Sequence, residues 1–215
     1  MHILPSRGRP HLLQEYFDKG KPEQRGVVVL DTDQSGMYAG LVTPPGWRIT
    51  YVNPMQGFVA KVNLAFSAFP DEPWYTLEGD DMIGRTPHWD TILAQQACAG
   101  WITWGNDLYF GKCTHPYIPG DYCRDLGWVA HPAFKHNYVD AVWERIATDL
   151  GIGRYMDQVI TEARHYSNHK IPYDQTARER MEKNDGVEWV GFQCDAREYH
   201  ENLRKITLRH ESYCR

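Results

Sequence analysis

Two adjacent carboxylates, Asp80 and Asp81, close the stretch WYTLEGDD, where an apolar run that reads as a strand gives way to RTPHWDTIL, which opens like a helix. Side by side they repel. A solvated turn tolerates that at little cost, whereas a divalent cation between them turns the repulsion into binding. Two other strand-end motifs carry comparable chemistry. In PSRGRP, Arg7 and Arg9 leave the first strand where guanidinium groups can hold phosphate or the edge of a base. In VLDTDQ, Asp31 and Asp33 stand at the matching edge, where a carboxylate can accept from a uracil N–H or from ribose hydroxyls, although acids are also ordinary turn residues. Each motif is weak alone. They gain weight together, because a parallel sheet brings all three strand ends to the edge where ligands bind.

The elements that must position these groups follow from periodicity. HILPS is a short apolar strand, and RGRPHLLQEYFDKG follows with Leu12, Leu13, Tyr16 and Phe17 at helical spacing, Pro10 near its start and Gly20 at its end. RGVVVLDTD is a continuous β-branched run, as in a strand buried on both faces. Together they make a right-handed βαβ unit. WRITYVN reads as a third strand leading to Asn53 as N-cap and Pro54 at the first helical position, with Phe58, Val59, Val62, Phe66 and Phe69 on one face. PWYTLE is a fourth strand ending in GDD, before a helix beginning at Thr86 and Pro87 and carrying Trp89, Ile92 and Leu93. After WITWGNDLYF, residues 111–136 read as loops around a short helix, DYCRDLGW. VDAVWERIATDLG places Val139, Val142, Trp143, Ile146 and Leu150 on one stripe, a core face rather than a sugar platform. A late strand, YMDQVITEARHY, precedes polar helices near 173–184 and 195–209, the second with Asp195 and Glu198 in capping-box spacing.

Composition bounds the function. The 215 residues suit one domain with a sizeable core, and a formal net charge of -5 argues against broad attraction to nucleic acid. The basic set Arg197, Arg204, Lys205 and Arg209 reads first as a solvated helix face, with a nucleic-acid role as the alternative. No apolar run is long enough to span a membrane, and no signal sequence is evident, so a cytoplasmic location is expected. The five cysteines show no CxxC spacing and read as free thiols. Eight tryptophans and thirteen tyrosines are a high aromatic load, explained by core filling or by a surface that stacks on sugar or base rings.

The succession PSRGRP, VVLDTD, an Asn-bearing helix (KVNLAF) and a strand ending in GDD before RTPHWD resembles the glycosyltransferases of the GT-A fold. The form GDD-x(3)-RTP-x-WD, with the later GND and YVDAVW, is similar to the small glycosyltransferases often encoded by bacteriophages. The resemblance covers residues 2–174, is strongest over 78–145 and leaves the C-terminal segment outside it. It implies an α/β fold of the GT-A (Rossmann-like) type, a mostly parallel sheet flanked by helices with a C-terminal helical extension. Residues 1–215 would form one catalytic domain: a nucleotide-sugar half over 1–110, an acceptor side over 111–174 and C-terminal helices over 175–215.

The resemblance also implies roles. The donor would be a nucleoside diphosphate sugar, with a UDP-sugar favoured, and its departing diphosphate needs a Lewis acid such as Mn²⁺ or Mg²⁺. Asp81 would contact the metal, Asp80 the metal or the ribose, and His165 would complete the site. Glu78 stands where the family's D-x-D motif has its first Asp. His169 lies four residues after His165, but no Glu follows as a zinc protease would require, so zinc is not expected. Pro5, Arg7, Arg9, Asp31, Asp33, Lys61, Asn63 and Asp80 would border the nucleotide sugar. Asp140 would be the base of an inverting transfer, with helix-N-terminal charge as its plainer reading, and Asp107 of GND the alternative base or an acceptor contact. The acceptor would be a hydroxyl, with hydroxymethylated DNA bases, which phage enzymes of this general type can decorate, among the candidates. Two rivals stand beside this reading. A nucleotidyltransferase that makes sugar nucleotides would carry a longer Gly-rich first loop than PSRGRP, and a non-catalytic glycan-binding or partner-binding protein would not need the acids.

Overall fold

A computed structural model describes residues 1–54, 57–109, 111–183 and 196–213. Strands and helices alternate as β1 (His2–Pro5), α1 (Pro10–Glu15, continued by a π-helical turn Tyr16–Gly20), β2 (Gly26–Asp31), β3 (Trp47–Val52), α2 (Phe58–Ala68) and β4 (Trp74–Leu77). There follow β5 (Met82–Gly84), α3 (Trp89–Cys98), β6 (Ile102–Asn106), β7 (Tyr117–Pro119), α4 (Gly120–Leu126), α5 (Val139–Leu150) and β8 (Gly153–Ala163). Helices α6 (Gln175–Lys183) and α7 (Ala196–Tyr213) complete the described chain.

Among the described residues, eight strands form one sheet in the order β3-β2-β1-β4-β7-β6-β8-β5. β1 pairs in parallel with β2 and β4, β2 with β3, and β6 with β8, while β7 runs antiparallel to both β4 and β6. Six strands therefore point one way, and their carboxyl ends share an edge. The β-branched run of β2 earns its place because both faces are covered. Val27 and Val29 enter one core with Ile3, Val62, Phe66 and Trp143, and Val28 and Leu30 enter the other with Leu4, Leu13, Trp47, Trp89 and Leu93. Each fully buried aliphatic side chain stabilises by about 1.5–3 kcal/mol relative to exposure.

Four local expectations are corrected. The helix expected from Asn53 and Pro54 starts at Phe58, with Gly57 before it. A tertiary contact sets that start: Val59 N–H donates to Lys135 O at 3.2 Å, and a Cβ at position 57 would lie 2.8 Å from the same oxygen. The helix expected from Thr86 begins at Trp89, after His88 in the left-handed region. The chain after GDD first makes β5, which pairs antiparallel with β8, before that helix. The segment 111–136, expected as loops around one helix, also contains β7, which bridges β4 and β6. The expected cap Asp195 lies outside the described residues, as do Cys194 and Cys214, whereas Cys98, Cys113 and Cys123 are free thiols. Among the described residues no helix is long and apolar enough to cross a membrane.

Candidate active site

The acid pair lies just past β4, at the carboxyl edge. Asp80 is buried, and its Oδ2 accepts from Ser6 Oγ at 2.5 Å. The Arg9 guanidinium reaches both acids, with Nη1 3.5 Å from Asp80 Oδ1 and 3.6 Å from Asp81 Oδ2. Burial and then the neighbouring charge of Asp81 push the Asp80 carboxyl up to about 7; Arg9 and Ser6 offset only part of this. Gly79 has a specific task, because a Cβ there would stand 2.5 Å from Asp81 Oδ1. The glycine lets the Asp81 carboxylate fold back over the turn. The Asp81 backbone carbonyl accepts Arg164 N–H at 2.7 Å, which ties GDD to the end of β8.

At the next strand end, Asp31 Oδ2 receives both Arg7 Nη1 at 2.7 Å and Lys61 Nζ at 2.8 Å. Lys61 is almost fully buried, and burial lowers its pKa. Asp31 Oδ1 is buried with no hydrogen-bond partner, an acceptor that costs about 1–3 kcal/mol unless a donor reaches it. Asp33 lies further out, 3.5 Å from Arg7 Nη1. Pro5 ends β1 in register with Val29. The structure thus brings Pro5, Arg7, Arg9, Asp31, Asp33, Lys61, Asp80 and Asp81 to one edge.

Other expected residues sit elsewhere or are engaged differently. Asn63 faces the 129–130 backbone, giving its amide to Ala130 O at 2.7 Å and accepting from Val129 N–H and Ala130 N–H at 3.0 Å each; it buttresses α2 and is not part of the acid cluster. Glu78 is fully buried under the sheet, bound to His2 Nδ1 at 2.9 Å and Tyr16 Oη at 2.7 Å, which removes it from any metal role. His165 caps a 3-10 turn: its Nδ1 lies 2.6 Å from Ser167 Oγ and accepts Ser167 N–H at 3.3 Å. It does not join Asp80 and Asp81 in one cluster, since among the described residues no group of three or more His, Cys, Asp or Glu is placed to hold a metal ion. Asp107 is fully buried, and its Oδ1 accepts Tyr109 N–H at 3.0 Å and Gly111 N–H at 2.9 Å, fixing the turn after β6. Asp140 is partly buried in the first turn of α5, where its Oδ1 accepts Ala141 N–H at 2.9 Å. Its charge, after burial, helps push the Cys113 thiol up.

The two carboxylates are hard oxygen donors. Such a pair suits Mg²⁺ or Mn²⁺ when a substrate's phosphates complete the shell, and one guanidinium between two acids leaves negative charge for a cation to meet. The donor set therefore fits the implied metal.

Sequence reasoning missed a second group of site residues. Asp174 makes a paired contact with Arg9, at 2.7 Å to Nε and 2.8 Å to Nη2. Thr176 Oγ1 donates to Arg7 O at 2.8 Å, and Glu179 accepts from Arg7 Nε at 3.4 Å. Gly8, at φ 70°, leaves the room that Thr176 uses. Tyr38 Oη meets Ser6 Oγ at 2.7 Å and accepts Arg9 N–H at 3.1 Å. Ser6 lies inside the PSRGRP motif and could have been weighed there. Asp174 is 165 residues from Arg9 and carried no local signal.

No protein-family model and no curated protein matches the chain. Solved structures do. S. aureus TarS 1–349 in complex with UDP-GlcNAc is similar with a TM-score of 0.55 and 13% identity, over 98% of this chain and 72% of that one. The longer S. aureus TarS structure gives 0.54 and 11%, over 74% of this chain, which spans only 35% of it. Rv0371C from Mycobacterium tuberculosis H37Rv, in complex with manganese, gives 0.52 and 11%, over 79% of this chain and 94% of that one. At these identities the likeness establishes the fold: α/β, of the GT-A type, with a mostly parallel sheet flanked by helices and a C-terminal helical extension.

Proposed function

We propose that this chain is a divalent-metal-dependent glycosyltransferase that moves a sugar from a nucleoside diphosphate donor to a hydroxyl acceptor. The observation that carries the reading is the Asp80–Asp81 pair at the carboxyl edge of the sheet, facing one guanidinium between two acids. UDP-GlcNAc bound to one structural neighbour and manganese to another support the same chemistry.

Asp81, with Asp80, would hold Mn²⁺ or Mg²⁺, which when bound supplies Lewis-acid neutralisation of the departing diphosphate. Arg7 and Arg9 supply fixed positive charge beside it. The buried, unpartnered Asp31 Oδ1 offers an acceptor for a nucleobase N–H or a ribose hydroxyl, which supports a uridine-type donor. Lys61 holds that carboxylate in place. Asp140 is the proposed base: near the start of α5, it would take the acceptor hydroxyl's proton as an inverting displacement proceeds. Residues 1–110 form the donor half and 111–174 the acceptor side, whose last residue, Asp174, grips Arg9, while α6 closes against the first loop through Thr176 and Glu179. The finer reading of a bacteriophage enzyme acting on hydroxymethylated DNA bases in a host cytoplasm rests on the motif resemblance alone.

Replacing Asp81→Asn should abolish Mn²⁺-supported UDP release from a UDP-sugar while leaving the circular dichroism and thermal midpoint intact; full retention of activity contradicts the metal assignment. Asp140→Asn should lower turnover and leave donor affinity unchanged. Pyrophosphate release from a nucleoside triphosphate and a sugar phosphate would instead favour the nucleotidyltransferase.

A further inference from the structure

Three tyrosines that the donor site does not use gather beside the acid pair. Tyr166 and Tyr173 meet edge to face with ring centroids 4.9 Å apart. Tyr109 donates its hydroxyl to Ser167 Oγ at 3.2 Å, next in sequence to Tyr166. The cluster is tied to the acids from two sides: Arg164 N–H donates to Asp81 O, and Asp174, next to Tyr173, grips the Arg9 that faces both carboxylates. Tyr109 and Tyr173 nevertheless keep 41% and 49% of their surface exposed, unlike the fully buried Tyr16, Tyr75, Tyr117 and Tyr122 of the cores. The loop bearing Tyr109 is strained into place. Leu108 sits at φ 57°, a left-handed conformation that a branched side chain adopts only when its surroundings impose it, and buried Asp107 imposes it by accepting the Tyr109 and Gly111 N–H groups.

We propose that Tyr109, Tyr166 and Tyr173 line the acceptor subsite, where the exposed Tyr173 ring, steadied by its edge-to-face contact with Tyr166, stacks on the apolar C–H side of a neutral sugar ring; this rests on the donor reading above. Tyrosine suits the task, since it offers a large rigid face at small conformational cost and a hydroxyl for the sugar's own hydroxyls. Exposure at the rim fits a molecule that arrives from solvent once the donor is seated. Charge selects a neutral ring over a nucleic acid. Arg9 is paired with Asp174, and Lys170 and Arg85 with Glu162, whereas a face that tracks a phosphate backbone would need such cations free.

The test uses saturation-transfer NMR on the intact protein loaded with UDP and diamagnetic Mg²⁺, with methyl β-glucopyranoside and methyl N-acetyl-β-glucosaminide as probes. Saturation should reach ring C–H protons on one face, vanish in the Tyr109→Ala/Tyr173→Ala variant and persist in Tyr173→Phe, which keeps the ring. UDP-GlcNAc affinity with Mn²⁺ should stay within about twofold in all three proteins, since the tyrosines lie outside the donor contacts. Saturation that survives in the double alanine variant, or that no pyranoside shows, overturns the proposal. So does binding of a hydroxymethylcytosine oligonucleotide through these tyrosines in place of the pyranosides. A loss of UDP-GlcNAc affinity in the double variant with UDP affinity unchanged would assign the face to the donor's sugar, again overturning it. Failure of the wild-type protein to bind UDP with Mn²⁺ would instead sink the donor reading, and this proposal with it.

Discussion

Gly79→Ala separates the fold from the chemistry of the acid pair. The added Cβ would stand 2.5 Å from Asp81 Oδ1, about 0.9 Å short of the 3.4 Å at which ordinary contact begins. Nothing else crowds the position as closely: the next atoms are the Asp81 carboxyl carbon at 3.6 Å and its backbone nitrogen at 3.9 Å. The strain is relieved by rotating one carboxylate, so the thermal midpoint should hardly move, in keeping with the roughly ±0.5 kcal/mol of substitutions that leave packing intact. The Asp81 carboxylate, however, can no longer rest where it does. Displacing the support of a metal ligand typically costs about 10–100-fold in metal affinity. The assay is the electron paramagnetic resonance of free Mn²⁺, titrated against wild-type and Gly79→Ala protein saturated with UDP. A variant that folds normally and holds Mn²⁺ as tightly as wild type would refute the reasoning, because the carboxylate position would then not matter to the ion.

Other outcomes follow from the buried charges. Lys61→Met should destabilise the protein by about 3 kcal/mol, the lower end for breaking a buried pair, because Arg7 remains on the same Asp31 oxygen. Urea unfolding measures this, and a loss under about 1 kcal/mol, the size of an exposed pair, would mean that the contact is not buried in solution. Beneath the sheet, His2 lies 2.9 Å from Glu78 and 3.3 Å from Asp90; burial alone would lower its pKa, and the two carboxylates more than reverse that. Protonated His2 therefore favours the folded state, a contribution fully present below the ordinary histidine pKa of about 6.5 and lost as pH rises through the raised folded value. The stability difference between wild type and His2→Gln should shrink as pH climbs from about 6 upward; a difference independent of pH would show that His2 is neutral when folded.

Much of the N-terminal part of the sheet is legible in the sequence because its signals are local. VVVL in β2 has no polar position to show to solvent, so it had to lie between two layers, and a buried parallel strand sends its end acids to the ligand edge. The strand-end positions of Arg7, Asp31 and Asp80 bring the three residues to that edge, as the structure has them. What escaped was set by distant partners. β5 and β7 are three residues each, too short for a periodic pattern, and exist because β8 and β4 pair with them. The start of α2 differs from the local Asn-Pro signal because the Lys135 carbonyl outranks it. Glu78, which stands where the D-x-D motif has its first Asp, is bound to His2, and Asn63 braces the 129–130 backbone, contacts with partners far away in the chain. Asp107 holds the turn after β6 through the Tyr109 and Gly111 N–H groups, a geometry that no periodic pattern announces. Asp174 could not be found from spacing, since nothing near it in the chain hints at Arg9.

The central claim is that the Asp80–Asp81 pair and the Asp31 corner together hold a metal-bound nucleoside diphosphate sugar. Calorimetric titration of UDP-GlcNAc into the wild-type protein, with Mn²⁺ and then with excess chelator, tests it most directly. Saturable one-to-one binding that requires Mn²⁺ and disappears in Asp81→Asn is the predicted result. Binding of equal strength with and without the metal, or none to a folded protein under either condition, would contradict it.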